Sequence, residues 1–219
     1  MRDCYIVGAG DFAPERFNPL AGDFIIAADA GITRLDEIGA APNLIVGDFD
    51  SLGAVPDRPN VVVCPVEKDD TDMFIAVKEA LRRGCDRLML FGGTGGERMD
   101  HTLANIQVLA FAAQRNMRAF LFGRGFVLTA ICGGTLSFDE RYSGDLSVFC
   151  HGDLAAGVSE SGVKYPLRSV RMSGNYPLGV SNSFNGAASI SVEEGVLLIY
   201  WQDNATLPLP VFSAGDSEE

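Results

Sequence analysis

The feature that most constrains this chain is a change of rhythm near residue 124. Before it, short and wholly apolar runs alternate with segments of helical period. The runs are CYIVGAG, DFIIAAD, NLIVGD, NVVVCPV, DRLMLFGG and MRAFLFG, and the helical segments are AGITRLDEIGA, TDMFIAVKEALRRG and RMDHTLANIQVLAFAAQRN. The second helix is expected to bury Phe74, Ile75, Val77 and Leu81 and to stop at Gly84. Strands apolar on both faces and separated by helices predict a mostly parallel sheet covered on both sides. After Gly125 the helical period disappears. FVLTAIC, GTLSFDE, DLSVFCHG, LRSVRM, ASISVEE and VLLIYWQ read as short strands divided by Gly, Asp, Ser and Asn turns. The pattern predicts an α/β N-terminal domain over residues 1–123 and an all-β sandwich or small antiparallel barrel over 126–212, with 213–219 as a flexible tail.

Composition narrows the function classes. Seventeen basic against 29 acidic residues give a formal net charge of −12 over 219 residues. That balance argues against nucleic acid, whose phosphate backbone needs clustered Lys and Arg. It suits metal ions or a cationic substrate, as well as plain solubility. The N-terminal run MRDCYIVGAGDF has no cleavage-site pattern, and no apolar stretch approaches the ~18 residues of a membrane span. Cys4, Cys64, Cys85, Cys132 and Cys150 are widely spaced with no C-x-x-C pair, which predicts reduced structural thiols in a cytoplasmic protein.

GAGDFA (Gly8 to Ala13) matches the G-x-G-x-x-A dinucleotide fingerprint after a strand, but Pro14 and Pro19 stand where its helix should begin. The glycines are therefore expected to shape a tight loop that lets backbone approach a ligand or another segment. The third apolar run ends in Asp48 and Asp50, two residues apart and on one side of an extended segment. Taken alone, that pair reads equally as a polar turn or as half of a cation site. Asp29 closes the second run in the same way, and capping of the following helix is its rival explanation. EKDDTDMF adds Asp69, Asp70 and Asp72 beside Lys68, more acids than a helix cap uses. These acids gather at consecutive strand ends, where open sheets bind ligands. With only two histidines in the chain, zinc and iron lack ligands, and a hard cation such as Mg²⁺ is the better match.

LFGGTGGERMDHTLAN is the most specific segment: four glycines after a strand, then Arg98, Asp100 and His101 at a helix start. Its amides suit an anion, although the G-K-[ST] ending of a P-loop is missing. GVKYPL and GVSNSF are turn-like by composition, and Tyr200 and Trp201 read as core or interface aromatics.

GDFDS (47–51), KDDTD (68–72) and GGTGGERMDHTLAN (92–105) together resemble the thiamine pyrophosphokinase family, with ADAG, GVKYPL and GVSNSF in the family's order. The resemblance spans essentially the whole chain. It implies an α/β domain and a β-sandwich, a homodimer with shared active sites, and conversion of ATP and thiamine to AMP and thiamine diphosphate with Mg²⁺. On that resemblance Asp48, Asp50 and Asp72 hold the metal with Asp29 close by, while Gly92, Gly93, Gly95, Gly96, Arg98, Asp100 and His101 hold the nucleotide. Tyr165 is expected to stack on the thiamine pyrimidine, with Ser181, Asn182 and Asp72 along the substrate. Lys68 and Arg98 would add positive charge, and either Asp72 or Asp100 would orient or deprotonate the attacking hydroxyl. Glu97, between Gly96 and Arg98, departs from the family pattern and leaves open which loop amides reach the phosphates. Another small-alcohol kinase, a non-catalytic nucleotide- or thiamine-binding module and a Rossmann-type oxidoreductase are the rival readings.

Overall fold

The apolar runs of the first half all form strands in the computed structural model, which describes residues 2–215. They are β1 (Asp3–Val7), β2 (Phe24–Ala28), β3 (Leu44–Gly47), β4 (Val61–Val63), β5 (Arg87–Phe91) and β6 (Arg118–Gly123). The helices are α1 (Gly31–Glu37), α2 (Asp72–Arg82) and α3 (Met99–Ala113). Residues up to Val108, with Ala119–Arg124, make one compact unit; Leu109–Arg118 and the chain from Gly125 onward make the second.

In the first unit the strand order is β4-β3-β2-β1-β5-β6, and the pairs joining β1 to β2, β2 to β3, β3 to β4 and β1 to β5 are parallel. Strands β2 to β4 step away on one side of β1, and β5 and β6 lie on the other. The reversal falls between β1 and β5, and the crevice beyond the carboxyl ends there is where such sheets take ligands. The register keeps those ends level: Val7 pairs with Ala27 and Phe91, Ala28 with Val46, and Gly47 with Val63. Gly8, Asp29, Asp48 and Gly92 therefore all leave the sheet at one rim.

Aromatic packing holds that rim from beneath. Phe91, fully buried, stacks on Phe122 with centroids 4.7 Å apart and meets Phe12 and Phe17 at 5.6 Å each. Burying one such ring contributes roughly 1.5–3 kcal/mol, and here it ties the segment after β1 to the end of β5. Between β1 and β2 the only helical element is a 3-10 turn, Pro14–Arg16, so no helix opens at the glycines and the dinucleotide fingerprint has no helix N-terminus to work with.

Two expectations need correction here. Helix α2 buries Met73, Ala76, Val77 and Ala80. Of the expected face only Val77 is among them, because small side chains at this spacing let the helix lie close to the sheet, while Phe74 takes the Lys78 ammonium over its ring at 4.4 Å. Strand β4 is an edge rather than a core strand, with Val62 and Val63 exposed.

The strands of the second unit are β7 (Phe126–Phe138), β8 (Asp145–Val163), β9 (Leu167–Ser173), β10 (Gly179–Gln202) and β11 (Val211–Ser213). They are antiparallel, in the order β9-β8-β10-β7 with β11 on β7. The expected short strands are joined into long ones. FVLTAIC and GTLSF run through Gly133 and Gly134, and ASISVEE runs into VLLIYWQ through Gly195, at a shift in register. These glycines have φ of 73°, 80° and 89°, so the strand bends without ending its ladder. GVSNSF is the start of β10 rather than a turn, and only Lys164–Pro166 separates β8 from β9. The unit is not wholly β, since the last turn of α3 clusters with it from Leu109. Ser213, expected in the tail, is the last residue of β11 and pairs with Thr135; residues 216–219 of that tail lie outside the described residues. Trp201 is fully buried, and the five cysteines are free. Among the described residues no helix is long and apolar enough to cross a membrane.

Candidate active site

The acids at the strand ends meet. One carboxylate oxygen from each of Asp29, Asp48 and Asp50 lies within 4.8 Å of the others. Asp29 is not a helix cap: α1 begins at Gly31 with Ala30 in the cap position and no side-chain cap bond. Its backbone is instead held in the left-handed region, φ 48°, by its amide bond to the Val46 carbonyl at 2.8 Å. Such a conformation costs a non-glycine residue of the order of 1–3 kcal/mol and clusters at functional sites. Phe49 is the second case, with φ 61° and its ring 2% exposed in the core. It anchors a turn in which the Leu52 amide donates to Phe49 O at 3.2 Å, so GDFDS is a polar turn and a carboxylate cluster at once. Ser51 Oγ joins the cluster, hydrogen bonded to Asp29 and, at 3.2 Å, to Asp50.

Lys68 supplies the positive charge. Its ammonium donates to Asp48 Oδ2 at 2.5 Å and pairs with Asp72 Oδ1 at 3.0 Å. The hydrogen bond from Lys68 holds Asp48 below the usual carboxylate range. Burial would lower the Lys68 ammonium, but its bonds to the two aspartates carry it upward instead. Asp72 goes the other way from Asp48: burial raises its carboxyl, and Lys68 only partly offsets this. Asp72 does not join the trio of the other three acids. It opens α2 while Thr71 caps it, Thr71 Oγ1 accepting from Phe74 N at 3.2 Å. Asp70 is spent on Lys78 at 2.7 Å, and Asp69 is exposed.

Across the rim the loop after β5 is locked to the loop after β1. Gly10 N donates to Gly92 O at 2.9 Å, Asp11 N to Thr94 O at 2.7 Å, and Gly92 N to Asp11 O at 2.9 Å. No side chain fits at the crossing, since a Cβ on Gly92 would lie 2.1 Å from Gly8 O and one on Gly8 2.8 Å from Gly92 O. The expected loop therefore approaches another chain segment, and Gly92 serves it by shape: its amide is already used and does not face an anion. Asn105 Nδ2 donates to Gly93 O at 2.8 Å from the second turn of α3, fixing the loop from below.

A cavity of about 290 Å³ lies between these loops, lined by Asp29, Ser51, Asp72, Thr94, Arg98 and His101 among others. Among the described residues two of its buried polar atoms, Asp29 Oδ1 and Thr94 Oγ1, have no hydrogen-bond partner, and Asp72 Oδ1 meets only the Lys68 ammonium. Buried polar atoms are rarely left so, and their convergence on one space marks a ligand site. Asp100 is outside the lining. It is exposed on the first turn of α3, and its bond from Arg98 at 2.8 Å brings its carboxyl down to about 2. Ser51, Thr94 and Asn105 had no role in the sequence reading, although each lies inside or beside a quoted motif; what singles them out is proximity, which spacing does not encode.

In the second unit Tyr165 is exposed, with the Lys164 ammonium 5.0 Å from its ring centroid. Ser181 is exposed at φ 61°, its amide bonded to Ser147 Oγ at 3.1 Å. Asn182 is only 4% exposed, and its side chain is occupied by the Tyr165 backbone and by Glu160. The direct substrate contact expected of it is not what its side chain makes.

A parallel sheet with carboxylates and a glycine-rich loop at its switch point defines a class, an α/β protein with a ligand site beyond the carboxyl ends of its strands. The comparisons narrow it. Residues 21–121 match the sequence model of the thiamin pyrophosphokinase catalytic domain. The thiamine pyrophosphokinase of Bacillus subtilis strain 168 is 29% identical over 185 residues, covering 80% of this chain and 85% of that protein. Among solved structures, the thiamin pyrophosphokinase of Geobacillus thermodenitrificans is 31% identical with a TM-score of 0.77, over 92% of this chain and 98% of that one. The Bacillus subtilis enzyme superposes with a TM-score of 0.80 at 25% identity, over 92% and 99% of the two chains. This chain belongs to the thiamine pyrophosphokinase family.

Proposed function

We infer that the protein is a thiamine diphosphokinase: it transfers the diphosphoryl group of ATP to the hydroxyl of thiamine, giving thiamine diphosphate and AMP. The observation that carries this for the site is one cavity lined by Asp29, Asp72 and the glycine loop, with Asp48 and Asp50 beside Asp29 in a carboxylate trio at its edge. The donors are hard carboxylate oxygens, and Asp29 Oδ1 is buried with no partner among the described residues, so the set fits Mg²⁺. Asp29, Asp48 and Asp50 would hold that ion, with Asp72 at its margin; when bound it offsets the charge on the phosphate oxygens. The rest falls to the chain. Arg98 and His101, with the loop of Gly93, Gly95 and Gly96, bind the triphosphate, and the turn of Gly92 sets the loop's path.

The transfer needs a hydroxyl oxygen in line with the β-phosphorus while the bridging oxygen to the α-phosphorus departs with AMP. Between the two candidates for the hydroxyl proton we assign Asp72. It lines the cavity and burial raises its proton affinity, whereas Asp100 is exposed and held strongly acidic by Arg98. Lys68 keeps Asp48 ionised and supplies positive charge between the trio and Asp72. Tyr165 and Ser181, exposed on the second unit, are the groups proposed to face thiamine, whose permanent cation suits an aromatic ring.

The proposal also includes the second unit as a sandwich and a cytoplasmic homodimer with shared active sites. Exposed Phe149, Leu154, Leu178 and Val180 support an interface on the second unit, and the five free thiols suit a reducing compartment. The deciding assay gives purified protein thiamine, ATP and Mg²⁺ and measures AMP and thiamine diphosphate. Formation of ADP instead, or no AMP above a control without thiamine, would overturn the reading.

A further inference from the structure

A carboxyl that the reaction does not use is buried in the second unit. Glu160, on β8, is 1% exposed. Its Oε2 accepts from Asn182 Nδ2 at 2.9 Å, and its Oε1 is buried with no hydrogen-bond partner among the described residues. Around it stand Ile190 and Gly179 of β10 and Leu167 and Met172 of β9, none of them charged. Acidic side chains are almost never buried without a charged partner, because an ion in such surroundings costs several kcal/mol.

Asn182 connects this carboxyl to the surface. Its Oδ1 accepts from the Tyr165 amide at 3.0 Å and from Ser183 N at 3.0 Å, and its Nδ2 donates to Tyr165 O at 2.9 Å as well as to Glu160. The side-chain amide thus pairs with both backbone groups of Tyr165, as a neighbouring strand would. It does so for a residue whose own ring is 58% exposed. The charged group of the turn itself is Lys164, whose ammonium lies over that ring.

We propose that Glu160 and Asn182 are positioning residues for Tyr165, a buried carboxyl–amide pair that holds the Tyr165 turn while Glu160 is neutral and releases it when Glu160 ionises. A neutral carboxyl tolerates the apolar wall with one oxygen bare. A carboxylate does not, and it gains by swinging towards water, taking the Asn182 amide with it. Burial pushes the Glu160 carboxyl up to about 7, with the Asn182 bond opposing, so the change falls in the neutral range. Resting on the reading of Tyr165 as a thiamine contact, the pair makes capture of thiamine sensitive to pH in the neutral range, above the acid limb set by the base.

The test is hydrogen exchange at the Tyr165 amide together with steady-state kinetics on the full chain, between about pH 6 and about pH 8.5. After correction for the intrinsic exchange rate, the wild-type amide should lose about tenfold in protection across this range, whereas Glu160→Gln should keep its protection unchanged. The KM for thiamine should rise about tenfold over the same range in the wild type with kcat little altered, and stay level in Glu160→Gln. Asn182→Ala should expose the Tyr165 amide at both pH values. The same pH dependence in Glu160→Gln as in the wild type, or full protection in Asn182→Ala, would overturn the proposal. Absence of any turnover of thiamine would overturn the activity reading instead, and the exchange data would still decide the role of the pair.

Discussion

Two carboxylate–cation pairings at the same rim end in opposite states. At the corner of β3 and α2, Lys68 lies between Asp48 and Asp72 with all three side chains largely shielded. At the start of α3, Arg98 grips Asp100 at 2.8 Å with both side chains about two-thirds exposed. The second pairing is the better hydrogen bonded, yet it only strengthens one exposed acid, because among the described residues Arg98 serves Asp100 alone and outweighs the slight effect of burial. In the first, one cation is divided between two acids, so one of them is strengthened as an acid and the other weakened. Burial with an incomplete counter-charge, rather than the number of acids, makes a group suited to handling a proton.

The corner breaks most completely through Asp48. Asp48→Asn removes a carboxylate from the proposed metal trio and is expected to cut turnover on the order of 10³-fold, with far-UV circular dichroism unchanged. Wild-type turnover would sink the metal role. Asp72→Asn is expected to lower kcat by about 10²-fold while leaving ATP binding by calorimetry close to wild type. Loss of ATP binding instead would make Asp72 a binding group and not a base.

Dependence on pH sharpens the contrast without breaking it. The base must be ionised, so kcat/KM should fall on the acid side through a pKa above the ordinary aspartate value of 3.8, since Asp72 is raised. Asp100, at about 2, contributes no such limb. Thermal unfolding should show the two acids of Lys68 with opposite signs. Asp48, lowered when folded, contributes stability above 3.8 that is lost as pH falls through its folded value. Asp72, raised when folded, contributes stability below 3.8 that is lost as pH rises through its folded value. Identical pH profiles for the Asp48→Asn and Asp72→Asn proteins would contradict this division. The smallest effect belongs to Asp100→Asn, expected to change KM for ATP less than about tenfold by freeing Arg98. A collapse of kcat in that variant would return the base to Asp100.

The sequence showed these regions unequally, for physical reasons. Alternation of apolar runs with helical periods is a local property, and the strands of the first unit follow from it. Acids at strand ends are equally visible because open parallel sheets deliver their loops to one rim. The face of α2 is ambiguous in sequence because both Phe74 and Ala76 are apolar, and only the distance to the sheet decides which turns inward. The long strands of the second unit were cut at glycines that bend them, since composition does not separate a bulge from a turn. Asn182 stood in a recognised motif, but the burial of its side chain and its link to Glu160, 22 residues away, exist only in three dimensions.

The crossing of the loops after β1 and β5 has a genetic consequence. Gly8 and Gly92 exclude side chains on each other's account, each one's absent Cβ falling on the other's carbonyl oxygen. Where two side chains clash, a smaller partner can restore the fit. Here both partners are already glycine, so there is no smaller residue for a suppressor to choose. A saturation screen should therefore find both positions intolerant, with no pairwise rescue between them, and any revertant should arise by restoring glycine itself.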